Sequence, residues 1–347
     1  MPMDYEAIAK LTQKYIASRP VIVLGSGASI PYGLPSMPAL AEELLRKMDL
    51  KDSAWTKFKY DLEKTKDLEK SLNNVQLTDS LLERIVKETW NITAKKDIQT
   101  HQDLLTNKTK LALTCLFQYL LRTANPKLFV VTTNYDRLAE YAANMAKAEV
   151  LTGFTSGWIQ RFVPDSSSNG LFHSNPSFEG RIQILKVHGS LDWFGKQDQE
   201  PIAIPLAREI PENRTPLIVT PGISKYREVH KDPFRSIMAW SDGVLKKASC
   251  FLCIGFGFND EHVQPILVDR IRNDHIPIVI VTKKLSEAAR KAFLENPPKN
   301  FLILEEDKSG TTVYCLDCPS GEVLTNHQLW NLPNFLNMLL GEEGVAL

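Results

Sequence analysis

Short aliphatic runs that do not alternate with polar residues constrain this chain more than any other feature. Val21–Leu24 (VIVL), the run 127–136 (KLFVVTTNYD), 181–190 (RIQILKVHGS), 250–255 (CFLCIG), 276–282 (IPIVIVT) and 301–306 (FLILEE) are strand-length and apolar on both faces. LIVTP (217–221) and TTVYCL (311–316) add two further candidates. Strands buried on both faces belong to a parallel sheet covered by helices on each side. The intervening segments carry apolar residues at three- and four-residue spacing, which is helical. The expected fold is therefore α/β, with a mostly parallel sheet and helices on both faces.

The helices are read over 4–17, 39–48, 231–247 and 260–273, after Asp136, after Ser286 and near the C-terminal end, with Pro38 at a first-turn position of the second. Residues of about 50–125 hold no convincing strand and form an inserted helical layer, with Thr78 or Asp79 as an N-cap. Residues of about 150–180 are rich in Gly, Ser, Asn and Pro and read as mobile loops or hairpins, while 195–215 reads as irregular. One domain spans 1–347. The 41 basic and 41 acidic residues cancel, which argues against broad nucleic-acid or membrane-surface binding and fits a chain that assembles with itself, as a homo-oligomer, or with a partner. No signal peptide or membrane span is expected, and five cysteines fit a reducing, cytoplasmic setting.

In a parallel sheet, ligands bind at the carboxyl ends of the strands. Four of these strands end in unusual turns: Gly25-Ser26-Gly27-Ala28-Ser29, Thr133-Asn134-Tyr135-Asp136, His188-Gly189-Ser190 and Gly255-Phe256-Gly257-Phe258-Asn259-Asp260. All four are expected on one sheet edge, lining one cleft. The first turn is either a phosphate cradle, its backbone open at Gly25 and Gly27, or a tight connection. No GK[ST] follows it, so it is not a P-loop. No second strand ends in an acidic residue about 20 positions on, which disfavours a dehydrogenase. Asn134 can hold a ribose hydroxyl, a carboxamide or a water, or can simply be a turn residue. Asp136 and Asp260 can each cap a following helix. His188 is either a core imidazole or a proton acceptor, and Gly189 implies close backbone approach.

The order and spacing of these turns resemble the sirtuin family, which binds NAD across a Rossmann-like sheet. Sirtuins carry GAGxS then GIPDFR, TQNID, a catalytic His followed by Gly, and a late glycine turn. The resemblance implies that Gly25, Ser26, Gly27, Ala28 and Ser29 surround the pyrophosphate and that Gly33 and Pro35 of the following loop also bind the cofactor. It implies Thr133, Asn134 and Asp136 at the nicotinamide ribose and His188 as catalytic histidine. Gly255, Phe256, Gly257 and Asn259 would meet the adenosine side, and Asn134, His188 and Asp136 form the expected catalytic set, Asp136 as orienter.

The departures carry equal weight. Sirtuin deacylases have two Cys pairs in a zinc ribbon after the HG motif, and no cysteine lies between His188 and Cys250. Cys250/Cys253 and Cys315/Cys318 are two CxxC spacings on strands, read as thiols rather than metal ligands, so no metal is expected. Gly33-Leu34-Pro35-Ser36-Met37-Pro38 lacks the Asp, Phe and Arg of GIPDFR. TTNYD, HGSLDW and GFGFND resemble the bacterial sirtuin-like NADases of anti-phage systems, in the compact form that works with a separate partner such as a HerA-type ATPase. The function so implied is hydrolysis of NAD to nicotinamide and ADP-ribose in cellular defence. The alternatives are an NAD-dependent protein deacylase and a non-catalytic NAD- or ADP-ribose-sensing subunit.

Overall fold

The computed structural model describes residues 4–48, 53–65, 68–75, 77–123, 126–164, 177–219 and 231–341. Strands β1 (Val21–Leu24), β2 (Lys127–Thr132), β3 (Ala148–Leu151), β5 (Gly180–Lys186), β9 (Phe251–Ile254), β10 (Ile278–Thr282) and β11 (Phe301–Asp307) run parallel. Strands β12 (Gly310–Cys315) and β13 (Cys318–Thr325) extend the sheet as an antiparallel hairpin. The order is β13-β12-β11-β10-β9-β1-β2-β5-β3. The fold is the α/β arrangement expected from the aliphatic runs.

Each central strand is buried on both faces because it feeds two cores. Ile22, Leu24, Val130, Ile184, Leu252 and Val281 point to one. That core also takes side chains from helices α1 (Tyr5–Ile16), α6 (Ala112–Leu121), α7 (Leu138–Met145) and α11 (Leu332–Leu340). Val23, Val131, Leu185, Phe251, Cys253 and Ile280 point to the other, under α8 (Phe234–Lys246), α9 (Val263–Asn273) and α10 (Glu287–Phe293).

The inserted layer is helical as expected: α3 (Ser53–Thr65), α4 (Leu68–Asn74) and α5 (Asp79–Leu105), with α2 (Met37–Lys47) beneath. It has its own core around Leu40, Leu44, Trp55, Phe58 and Leu81. Thr78, not Asp79, caps α5, its hydroxyl accepting from Leu81 N at 3.3 Å. Helix α2 starts earlier than read, at Met37, because Ser36 Oγ accepts from Ala39 N at 3.3 Å and leaves Pro38 inside the first turn. Among the described residues no helix is long and apolar enough to cross a membrane.

Four strands of four or more residues escaped the sequence reading. β3 spans the end of the helix read after Asp136 and the start of the region read as loops or hairpins, and is an edge strand whose only buried residue is Ala148, so it has no aliphatic run. The part of that region at 165–176 lies outside the described residues. The HGS turn opens directly into β6 (Gly189–Lys196), and the "irregular" stretch holds β7 (Gln199–Ala203). With β4 (Gln160–Arg161) and β8 (Thr215–Ile218) they make a second, antiparallel sheet in the order β4-β7-β6-β8. Its inner residues Leu191, Phe194, Ile202 and Ile218 pack on Val86, Trp90 and Ala94 of α5. β13 was missed because its residues are mostly exposed or half-exposed.

Candidate active site

Strands β1, β2, β5 and β9 are neighbours running the same way, so their four turns meet at one edge. They line a cavity of about 200 Å³. Gly25, Ser26 and Ser29 reach it from the first turn, Thr133, Asn134 and Asp136 from the second, and His188 from the third. Phe256, Gly257 and Asn259 reach it from the fourth, and Pro35 from the proline-rich loop. Gly27, Ala28, Gly33 and Gly255 do not line it.

Gly25, Gly27 and Gly255 bring the first and fourth turns into backbone contact. The first turn is a 3-10 turn, Ser26–Ala28, packed backbone-to-backbone on the fourth. Gly27 N donates to Gly255 O at 3.1 Å. A Cβ on Gly25 would sit 2.4 Å from Gly255 O, and one on Gly255 would sit 2.4 Å from Ala28 N. Gly255 also has φ +57, a left-handed conformation suited to glycine. The contact between the two turns by itself requires glycine at these positions. Gly257 differs: a Cβ there would meet only Asn259 Nδ2, at 3.4 Å.

Asn134 is fixed by the first turn. Its Nδ2 donates to Gly25 O (2.9 Å) and Ser29 Oγ (3.1 Å), and its backbone N to Thr132 Oγ1 (3.0 Å). That leaves its carbonyl oxygen for a ligand. Asp136 is buried; Oδ1 accepts from Leu138 N at 3.1 Å, but Arg137 and not Asp136 is the N-cap of α7, and the Ser29 hydroxyl beside it favours its charged form. Burial pushes its carboxyl above the ordinary range, opposed by the Lys186 charge. Lys186, fully buried, donates to Asp136 O and to Glu140 Oε1 at 2.9 Å. Asp136 thus holds the turn together.

His188 is clamped from the second sheet. Its carbonyl accepts from Val219 N (2.9 Å), and Val219 O accepts from the Tyr135 hydroxyl (2.5 Å). Gly189 follows with φ +84, and a Cβ there would lie 2.0 Å from Leu217 O, so the close approach implied by this glycine is to β8. His188 Nε2 lies 2.8 Å from Asp260 Oδ2, with side chains 14% and 6% exposed, although the two atoms are not aligned as a hydrogen bond. Asp260 Oδ1 accepts from His262 N (3.0 Å) and Val263 N (2.8 Å), the capping role expected of it.

The sequence reading missed the rest of the wall. Thr93 of α5 and Leu34, Met37 and Leu40 of the loop and α2 close the cavity opposite the sheet, and Asp260 belongs to it as well as to α9. Asp260 carried a signal in GFGFND, as did Tyr135 in TTNYD and Leu34 and Met37 in the loop matched to GIPDFR, whereas Thr93 and Leu40 carried none. Behind the wall Asp97 of α5 is fully buried and accepts from Arg137 N (2.7 Å), Arg137 Nε (2.9 Å), Arg137 Nη2 (2.5 Å) and the Tyr141 hydroxyl (2.6 Å). All five cysteines are free, and Cys315 and Cys318 sulfurs are 3.3 Å apart on the β12–β13 hairpin. Among the described residues no three His, Cys, Asp or Glu side chains gather as a metal site.

Comparison with protein families finds a match to the SIR2-like domain over residues 128–312, more than half of the chain. The chain belongs to the SIR2-like family. Comparison with the curated proteins finds no match. Among solved structures, the SIR2-like chain is similar to a Sir2 enzyme studied for mechanism and regulation, at 16% identity and TM-score 0.44, covering 83% of this chain and 90% of that one. A Sir2 homolog in complex with NAD gives 12% and 0.41, with 81% and 84% covered. A mutant Sir2 homologue in complex with ADP-ribose gives 13% and 0.43, with 81% and 86% covered.

Proposed function

We propose that this SIR2-like protein hydrolyses NAD at the nicotinamide–ribose bond, releasing nicotinamide and ADP-ribose. The observation that carries the reading is the convergence of Asn134 and His188 on one cavity beside the Gly25–Ser29 turn and Gly257. Nicotinamide leaves as a neutral ring and needs little acid help, so the protein's task is to position the sugar and water and to stabilise charge. Asn134, with its amide nitrogen spent on the first turn, offers its carbonyl to a ribose hydroxyl or the attacking water. His188 accepts the proton that water or hydroxyl loses. Asp136, engaged by Ser29 and the start of α7, orients and does not act as the base. Hydrolysis is favoured over acyl transfer by the wall at Leu34, Pro35 and Met37, which presents no aromatic shield against water.

In this reading the chain is the effector of an anti-phage system that depletes cellular NAD, works as a homo-oligomer and answers to a separate partner such as a HerA-type ATPase. The reaction is tested by incubating the protein, alone and with the product of its genomic neighbour, with NAD and separating products by chromatography. Nicotinamide and ADP-ribose in equal amounts without an acyl-lysine peptide support it. No product in either condition, or product only with such a peptide, rejects it.

A further inference from the structure

The ring of His188 has two nitrogens, and which of them is the base depends on what the other one faces. Nε2 is buried, 2.8 Å from Asp260 Oδ2, and has no hydrogen-bond partner among the described residues. Asp260 cannot easily turn away. Its Oδ1 accepts two backbone N–H groups, His262 and Val263, at the start of α9. Those amides and the positive end of an eleven-residue helix favour an ionised carboxylate. The cavity that holds His188 also holds Asp260, so the pair sits at the site itself.

We propose that Asp260 is a positioning residue for His188. Its Oδ2 holds the neutral imidazole with the proton on Nε2 and leaves the Nδ1 lone pair as the proton acceptor. When a hydroxyl or water of the ligand gives its proton to Nδ1, the oxygen keeps the electron pair and the imidazolium is offset by the Asp260 carboxylate. The sheet edge therefore carries a carboxylate–imidazole pair assembled from two turns, β5–β6 and β9–α9, that are far apart in the chain. This assignment rests on the proposed reaction for its catalytic meaning, but the tautomer is a property of the resting protein.

The test uses Asp260→Asn in the full chain. Asn caps helices as well as Asp, so its oxygen keeps the two α9 amides. Its amide nitrogen then faces Nε2 as a donor and forces the proton to Nδ1, the wrong tautomer for the assigned base. Long-range nitrogen–proton NMR on protein carrying labelled histidine reads the tautomer directly, with the His188 signal assigned from His188→Gln. The proposal expects the Nε2–H form in the wild type and Nδ1–H in Asp260→Asn. It also expects a kcat lower by about 100-fold or more with little change in KM. A wild-type Nδ1–H ring overturns it, as does an Asp260→Asn variant with an unchanged tautomer. If Asp260→Asn does not fold, the wild-type tautomer alone decides. Absence of NAD turnover in the wild type rejects the proposed reaction, while the tautomer still reports on the pair.

Discussion

At the scale of single residues, the glycine turns separate two reasons for being glycine. Gly25 and Gly255 fill a backbone-to-backbone contact in which any Cβ lands 2.4 Å from a neighbouring main-chain atom. Gly257 faces the cavity with room for a methyl group. Gly25→Ala or Gly255→Ala is therefore expected to lower thermal stability strongly, since two strand ends must separate, whereas Gly257→Ala keeps the wild-type unfolding temperature and weakens NAD binding. Equal melting temperatures for all three variants would reject the distinction. Asp136 gives a pH prediction. Its carboxyl titrates above the ordinary range because it is buried, so folding favours its protonated form. The associated stability is present below the unfolded-state value of about 3.9 and is lost as pH rises through the higher folded value. Asp136→Asn removes that loss: relative to wild type, the variant should gain stability toward neutral pH and lose the advantage in acid. Urea unfolding across pH measures it, and a constant difference at every pH counts against the burial argument.

At the scale of elements, one buried carboxylate ties α5 to the start of α7. Asp97 takes four hydrogen bonds from Arg137 and Tyr141 at the start of α7, with the ion pair almost free of solvent. Removing one partner of a buried pair leaves the other charge uncompensated, at a cost of about 3–5 kcal/mol. Asp97→Ala should lose stability on that scale in urea unfolding and, because Thr93 lies one turn away on the same helix, should also weaken NAD binding. A loss below about 1 kcal/mol would show that the network is not what seats α5. These elements also show what was legible beforehand. The seven parallel strands include six with an aliphatic run, because burial on both faces leaves no room for polar residues. β3, β7 and β13 carry exposed or half-exposed faces, so nothing in their composition marks them. The four turns were legible because glycine, Asn and His at strand ends are unusual there. Thr93 and Leu40 were not, since a helix residue that lines a cavity looks like any other.

At the scale of the molecule, the cavity of about 200 Å³ lies below the 300–1,000 Å³ or so typical of pockets for drug-sized ligands, and a dinucleotide is larger than most such ligands. Movement of its outer wall is therefore expected if NAD is to lie within it along the sheet edge. The sheet side is held by the turn-to-turn contacts of Gly25, Gly27 and Gly255 and by the clamp on His188, whereas the wall is fastened at its ends. Tyr32 is pinned on both sides, its carbonyl accepting from Thr100 Oγ1 (2.9 Å) and its hydroxyl from Ala112 N (3.0 Å). Immediately after it, Gly33 has φ +84 with nothing within 4 Å of a Cβ position, and Ser36 then caps α2. The segment 33–36 between these two fastenings is the expected moving part, carrying Leu34 and Pro35 outward. Hydrogen exchange should show faster opening at 33–37 than at Tyr32 in the free protein, and slowing of that segment and of Leu40 on saturation with NAD. Protection confined to the sheet-edge turns, with 33–40 unchanged while NAD is bound, would mean that the wall stays closed and the dinucleotide lies outside it.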